Sequence, residues 1–225
     1  MINVPAAAYV AGYMKKTEQI RVAVVEDEVL VASMLVAWLG RQRRFSVVGS
    51  APDGLKGWDL CLSTRPDVAL IDVTMPGQDG LTLAERLLQE MPDLKIIILS
   101  ARFDPYCIYR IHRLNIPGYV DKASPPEEVT KAILAVARGK TYQTPRYVEQ
   151  WHQLRLDPDA FFKLLSDREV AVVRYLAQGC NLHEVARHLD ITYDTARTHQ
   201  RNVRAKLDVH STLDLLALAK KNGLF

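Results

Sequence analysis

The sequence has few of the features that mark several classes of protein. Its three cysteines, at positions 61, 107 and 180, form no CxxC pair, so the sequence indicates free thiols in a reducing cytosol and no disulfide framework. Eleven glycines and eleven prolines exclude collagen-like and low-complexity chains. No apolar run approaches the roughly 18 residues of a membrane-spanning helix. The apolar start at residues 4–14 precedes Lys15-Lys16 instead of following a basic segment, which is the wrong order for a secretory signal.

The overall charge is equally uninformative, because a net charge of +3 on 225 residues is too close to neutral to indicate a partner. The chain is 48% hydrophobic, which excludes wholesale disorder. Its length leaves one or two domains open. We therefore expect a soluble globular protein whose informative charges are local.

Residues 20–140 alternate between short β-branched runs and helix-length stretches. Such alternation predicts an α/β domain with a doubly wound, five-stranded parallel sheet. The predicted strands are 20–25, 45–49, 67–71, 94–99 and 118–120. Residues 1–19 precede the first strand as an N-terminal extension. Ser124 and Glu127 have the spacing of a capping box and predict the start of the last helix of this domain.

A different pattern follows this domain. Residues 141–163 contain Pro145 and Pro158 and predict a linker with a helical turn or two near 146–154. The aromatic Trp151, Phe161 and Phe162 indicate that this linker packs on another part of the protein. From residue 164 to 225 the apolar residues recur with a period of 3.6, beginning at a second capping box from Ser166. The sequence therefore predicts a second, small, all-α domain.

Charged and hydroxyl side chains stand where the predicted parallel strands end. Glu26 and Asp27 follow the first strand, Asp72 the third, Ser100 the fourth, and Lys122 lies just beyond the fifth. Ligands bind beyond the carboxyl ends of such strands. Three carboxylates gathered there repel one another and favour a hard cation such as Mg²⁺, and the cation and a lysine together attract a phosphoryl group. An aspartate in this setting can be the nucleophile and form an aspartyl phosphate.

At this point residues 20–140 resemble a response-regulator receiver domain. The matching stretches are Val25-Glu26-Asp27, Asp72 to Gly80 (DVTMPGQDG), Leu99-Ser100-Ala101 and Gly118 to Lys122 (GYVDK). The resemblance implies that Asp72 accepts a phosphoryl group from a sensor histidine kinase. It also implies a Mg²⁺ site made of Glu26, Asp27, Asp72 and the backbone carbonyl of Thr74, with Glu26 acting through water. The resemblance further implies that Lys122 pairs with the phosphoryl oxygens, that Ser100 is the switch hydroxyl and that Tyr119 is the aromatic that turns inward.

An enzyme with a strand-end aspartate is the main chemical alternative. Phosphatases of the haloacid dehalogenase type use such a nucleophile with a second aspartate two residues on, where this chain has Thr74. We therefore predict that the protein is not an enzyme, although the receiver is expected to catalyse its own phosphorylation and slow dephosphorylation.

The second domain contains a basic helix that follows a short helix and a turn. Residues 182–189 and 192–207 have the arrangement of a helix-turn-helix, and Thr195 to Lys206 contains four basic residues and no acid. Arginines near the start of such a helix can contact phosphates or guanine edges. The charge by itself equally fits a solvated basic face.

The surrounding residues resemble the LuxR-type helix-turn-helix. The matching stretches are 165–169, 177–179, 184–187, 189–191, 195–199 and 206–209. With the receiver, they identify the chain as similar to NarL/FixJ-class response regulators. By this resemblance Arg197, Thr198 and Arg201 face DNA, and Arg204 and Lys206 add phosphate contacts. Ala196, Gln200 and Arg204 depart from the residues usual at these family positions, so the resemblance assigns no target sequence.

The sequence thus predicts a cytoplasmic, phosphorylation-controlled transcriptional regulator. The expected partners are promoter DNA, a sensor histidine kinase, a second copy of the chain and RNA polymerase, and no membrane. Leu213, Leu216, Ala217 and Lys220 could form a dimer seam on the last helix or pack on their own domain. Two alternatives stay open: a DNA-binding regulator whose receiver serves only for dimerisation, and a phosphatase or phosphotransfer enzyme.

Overall fold

The structure is a computed structural model that describes residues 19–75, 79–101, 104–157, 160 and 163–221. Three predicted features lie wholly or partly outside the described residues. They are the N-terminal extension up to residue 18, Pro76 to Gln78 of the stretch Asp72 to Gly80, and the predicted packing residues Phe161 and Phe162. Among the residues described, no helix is both long and apolar enough to cross a membrane.

The first domain is built on a parallel sheet in which each strand is followed by a helix. The strand order is β2-β1-β3-β4-β5-β6, which is a doubly wound arrangement. The strands are β1 (Ile20–Val25), β2 (Phe45–Ala51), β3 (Val68–Asp72), β4 (Lys95–Ser100), β5 (Gly118–Asp121) and β6 (Tyr142–Gln143). The helices between them are α1 (Val29–Gly40), α2 (Gly54–Thr64), α3 (Gly80–Glu90), α4 (Pro105–Arg113) and α5 (Pro126–Val136).

The central strands are buried on both faces, which explains their nearly continuous apolar sequences. Val22 and Val24 point towards α1 and α5, while Ala23 and Val25 point towards the side of α2, α3 and α4. The register pairs Asp72 with Leu99 and Ser100 with Asp121. The sheet therefore brings Asp72 and Ser100 to the same carboxyl edge.

The predicted α/β class is confirmed, but within the described part of the chain the sheet has six strands instead of the predicted five. The additional strand, β6, is only two residues long and pairs in parallel with β5 through Gly118 and Tyr119. A two-residue strand is too short to show an alternation of apolar and polar residues, so no sequence pattern predicts it. Its position extends the sheet beyond the strand that carries Tyr119.

The region between the domains contains a longer helix than the turn or two that the sequence predicts for this linker. Pro145 opens a full helix, α6 (Pro145–Leu156), at the position where a missing backbone N–H costs nothing. This helix packs on α4, where the Trp151 ring stacks on His112 at 3.7 Å between centroids. The predicted packing of Trp151 is thereby confirmed.

The second domain is all-helical, as predicted. Its helices are α7 (Asp167–Ala177), α8 (Leu182–Leu189), α9 (Tyr193–Lys206) and α10 (Thr212–Lys221). The Ser166–Glu169 capping box is present in full, and Gly179, with φ of +90°, ends the first helix. Val172, Val185 and Ala196 form a small core where α7, α8 and α9 meet.

The capping box predicted at Ser124 is wrong. The helix begins one residue later, with Pro125 in the capping position and Pro126 as the first helical residue. A residue before proline avoids the helical region, so Pro125, with ψ of 149°, cannot be the first residue of the helix. The Ser-Pro-Pro-Glu spacing is therefore out of phase with the helix.

Candidate functional site: the acidic edge of the sheet and the basic helix

The carboxyl edge of the sheet gathers the acidic residues that the sequence singled out. Glu26, Asp27 and Asp72 each place a carboxylate oxygen within 4.8 Å of the others. Glu26 is 1% exposed and Asp72 is 3% exposed, and Asp27 is half-buried. Two of the three charges are therefore largely removed from water.

Lys122 lies between the two buried carboxylates. Its Nζ is 2.8 Å from Oε1 of Glu26 and 2.9 Å from Oδ2 of Asp72. The exposed Glu28 adds a longer contact of 3.4 Å to the same ammonium. One lysine thus faces several carboxylates, and the pocket keeps an excess of negative charge.

The electrostatics of the edge follow from this crowding. Burial raises the pKa of Glu26 above its usual value, and the neighbouring Asp72 adds to the rise. Burial and the Asp27 charge likewise raise the pKa of Asp72, against the lowering effect of Lys122. Burial by itself would lower the pKa of Lys122, but its bonds to Glu26 and Asp72 outweigh burial and raise it. A further positive charge at this edge would stabilise all three carboxylates.

One buried oxygen of the site has no hydrogen bond to the described residues. It is Oε2 of Glu26, whereas Oε1 binds Lys122 and accepts the backbone N–H of Glu28. A buried carboxylate oxygen left in this way is costly unless a cation or a bound water completes it. The oxygen donors present therefore fit a hard divalent cation such as Mg²⁺.

The loop after β3 positions the Asp72 carboxylate. The backbone N–H of Thr74 donates to Oδ1 of Asp72 at 3.2 Å. Gly80 lies so close that a Cβ there would be 1.8 Å from the carbonyl oxygen of Asp72, so only glycine fits. The backbone at the start of α3 is therefore packed directly against the backbone of Asp72.

Ser100 and Tyr119 lie next to this edge and are fully buried. The Tyr119 hydroxyl forms a hydrogen bond with the side chain of Ser100. Its ring packs against Tyr147 of α6, with 4.7 Å between ring centroids. The structure thus brings the predicted switch residues together and connects them to the helix between the domains.

The second candidate surface is on α9. Arg197, Thr198 and Arg201 are exposed and line an open concave surface together with residues of the turn that follows the helix. Arg204 lines the same surface. The opposite side of α9 carries the buried Ala196 and Val203, as the apolar spacing predicted.

Lys206 has a different environment from the other basic residues of α9. Its Nζ is 2.8 Å from Oε2 of Glu169, whose carboxylate also completes the capping box of α7. A phosphate contact by Lys206 would compete with this ion pair. The sequence did not reveal the pair because Glu169 and Lys206 are 37 positions apart.

Three further features of the site were not foreseen. Glu28 approaches Lys122, Tyr147 contacts Tyr119, and Asp79 binds arginines from two other helices. Of the three, only the approach of Glu28 could have been predicted from the sequence, because Glu28 directly follows Glu26-Asp27. The other two depend on how distant helices pack.

Known proteins match this architecture over almost the whole chain. The response regulator receiver domain family matches residues 22–134, and the luxR family of bacterial regulatory proteins matches residues 163–219. The oxygen regulatory protein NreC of Staphylococcus carnosus is 28% identical over 213 residues, covering 91% of this chain and 98% of that protein. NreC of Staphylococcus epidermidis is also 28% identical, over 214 residues.

Solved structures agree with these matches. RcsB of Salmonella enterica serovar Typhimurium, solved bound to the promoter rprA with the phosphomimetic BeF₃⁻, is 25% identical and has a TM-score of 0.69. The match covers 90% of this chain and 99% of RcsB. An RcsB–DNA complex matches with a TM-score of 0.59 at the same identity. The chain therefore belongs to the response regulator receiver family, in the NarL/FixJ class that joins a receiver to a luxR-family helix-turn-helix domain.

Proposed function

We propose that the protein is a transcriptional regulator whose DNA binding is controlled by phosphorylation of Asp72. The observation that carries the proposal is the presence, in one chain, of a buried acidic site bridged by Lys122 and an exposed basic helix, α9. The NreC and RcsB relatives, including RcsB bound to DNA, support the same assignment.

At the acidic edge, Asp72 is the phosphoryl acceptor and a sensor histidine kinase is the donor. Glu26, Asp27, Asp72 and the carbonyl of Thr74 would hold Mg²⁺, which neutralises phosphoryl oxygens when bound. Lys122 pairs with the same oxygens, and its proximity to Asp72 supports this role. Ser100 and Tyr119 act as the switch pair, because their shared hydrogen bond lies beside the acceptor.

At the basic helix, Arg197, Thr198 and Arg201 contact DNA bases and phosphates, and Arg204 contacts phosphate. Lys206 reaches phosphate only at the edge of this surface, in competition with Glu169. The protein binds as a homodimer, for which α10 offers the exposed Leu213, Ala217 and Lys220, whereas Leu216 packs on the domain core. We place the protein in the cytoplasm, with RNA polymerase as a further partner.

Phosphorylation is tested by incubating the protein with a small phosphodonor and Mg²⁺ and mapping the modified residue by mass spectrometry. The expected result is one acid-stable, base-labile phosphoryl group on Asp72, absent from Asp72→Asn and slow to hydrolyse. Rapid turnover of the donor without a trapped phosphoryl group would favour the phosphatase alternative.

DNA binding is tested by gel shift against genomic fragments at several salt concentrations. Arg201→Ala should weaken binding and lower the salt dependence, because one fewer counterion is released. Arg168→Ala is the matched control, since Arg168 binds the Leu189 carbonyl within its own domain. Equal effects of the two variants would argue against α9 as the DNA-binding surface.

A further inference from the structure

Helix α1 of the receiver is apolar around its whole circumference. Its sequence, VLVASMLVAWLG, contains no charged residue. Leu35 and Leu39 are buried against the sheet, whereas Leu30 and Met34 on the outer side are 73% and 58% exposed. A surface helix normally carries polar or charged residues on its outer side, and a helix that is apolar all round is normally covered. The outer side of α1 therefore has the composition of a buried surface but has no cover among the described residues.

A groove of 440 Å³ lies between this side of α1 and α5. The Trp38 ring in the groove is held in place, because its Nε1–H donates to Oγ1 of Thr130 on α5 at 3.1 Å. Both helices contribute apolar side chains to the lining, which are Val31, Met34, Leu35, Trp38, Pro126 and Val129. The groove is therefore a preformed apolar surface.

The chain enters the receiver next to this groove. Arg41, which follows the last residue of α1, lines the groove. In the same turn, the carbonyl of Arg43 accepts the side-chain N–H of Gln19 at 2.9 Å. The carbonyl of Arg44 accepts the backbone N–H of Ile20, also at 2.9 Å. The point where residues 1–18 join the described chain therefore lies beside the groove.

The sequence before Gln19 has the composition and the length that the groove requires. Residues 1–14, MINVPAAAYVAGYM, contain no charged side chain, and residues 15–18, KKTE, connect them to Gln19. This four-residue connection reaches up to about 13 Å. The fourteen residues before it span about 21 Å even as a helix, whereas the twelve residues of α1 span about 18 Å. The segment is therefore long enough to run along the whole of α1.

We propose that residues 1–14 bind the groove between α1 and α5 of their own chain and cover the outer side of α1. Apolar surface on the segment and on the groove leaves water together, and no charge of the segment is buried. Because the segment is joined to the receiver beside the groove, its effective concentration there is about millimolar, which favours it over a second copy arriving from solution. The inference is independent of the proposed function, because it involves neither phosphorylation nor DNA.

The test is the paramagnetic broadening of the Met34 methyl signal in the full chain. A nitroxide is attached at Ala7→Cys in a Cys180→Ser background, because the other two cysteines are buried. The nitroxide should broaden the ¹³C-methyl signal of Met34. It should leave the signal of Met91 unchanged, because Met91 is buried at the end of α3 on the other side of the sheet. Equal Met34 signals with the nitroxide oxidised and reduced would overturn the proposal.

A mixed sample distinguishes a second copy as the occupant of the groove. Spin-labelled chain at natural isotope abundance is mixed with isotope-labelled chain that carries no nitroxide. Met34 should keep its signal in this mixture, since the proposed contact lies within one chain. Broadening as strong as in the doubly labelled chain would overturn the intramolecular cover and assign the groove to the segment of a second copy.

Leu30→Glu tests whether the apolar side of α1 carries the contact. Leu30 lies one turn before Met34, and the segment would remove a carboxylate placed there from water. The variant should therefore weaken the contact at least about ten-fold, so that the Met34 signal returns. Leu55→Glu is the matched control, because Leu55 is 68% exposed on α2, across the sheet from α1. Equal Met34 signals in the two variants, with the Met91 signal unchanged in both, would overturn the docking on α1.

Discussion

At the scale of single residues, Glu26 determines how the acidic edge receives a cation. Its Oε2 is buried without a hydrogen bond to the described residues. Glu26→Gln should weaken Mg²⁺ binding about ten- to a hundred-fold, measured by isothermal titration calorimetry. Glu28→Gln is the control, since Glu28 is exposed and touches Lys122 only at 3.4 Å. Equal losses in the two variants would show that net charge, and not the Glu26 carboxylate, sets the affinity.

The two tyrosines behind the site offer a second residue-scale test. Tyr119 shares a hydrogen bond with Ser100, whereas the buried hydroxyl of Tyr147 has no partner among the described residues. Tyr119→Phe should lower the free energy of unfolding by about 1 kcal/mol, and Tyr147→Phe should leave it unchanged or raise it. Urea denaturation measures both, and a larger loss for Tyr147→Phe would contradict these environments.

At the scale of secondary-structure elements, α7 depends on one carboxylate for its start. Glu169 completes the capping box and binds Lys206. Burial would raise the pKa of Glu169, but Lys206 and the Ser166 N–H lower it. Because the pKa of Glu169 is lower in the folded than in the unfolded protein, its carboxylate stabilises the fold at pH values above the pKa of the unfolded chain, about 4.3. This stabilisation is lost as the pH falls through the pKa of the folded protein.

Glu169→Gln should therefore lower the free energy of unfolding by about 1–2 kcal/mol at neutral pH. The difference from the parent should shrink as the pH falls below about 4. Glu184→Gln, in the exposed capping box of α8, should lower the free energy of unfolding by less, because Glu184 has no lysine partner among the described residues. Urea denaturation over a pH series checks this, and a difference that grows towards acid pH would contradict it.

Element boundaries show what sequence reasoning could reach. The strands and the Ser166 cap were predictable, because burial and side-chain hydrogen bonding leave local patterns. The capping box predicted at Ser124 is wrong, because the two consecutive prolines make Pro125 the capping residue, so that the helix begins one residue later than predicted. Strand β6 is too short for a pattern of its own, and the length of α6 depends on packing against α4.

At the scale of the whole molecule, local motifs revealed the two sites but not how they communicate. Asp72, Lys122 and the exposed residues of α9 lie where the sequence placed them. The Asp79–Arg174 pair spans 95 positions, and the Tyr119–Tyr147 contact joins two elements that only the fold brings together. Such contacts are set by the packing of distant helices, so no spacing in the sequence encodes them.

The connection between the two sites is the central claim, and DNA affinity under control of the acidic edge tests it most directly. The measurement is the fluorescence anisotropy of a bound genomic fragment, for the parent and Asp72→Ala, each with and without BeF₃⁻ and Mg²⁺. We expect BeF₃⁻ to tighten binding by the parent about ten-fold and to leave Asp72→Ala unchanged, which corresponds to a coupling of about 1.4 kcal/mol. Equal affinity in all four conditions would contradict the account and favour a regulator whose receiver serves only for dimerisation.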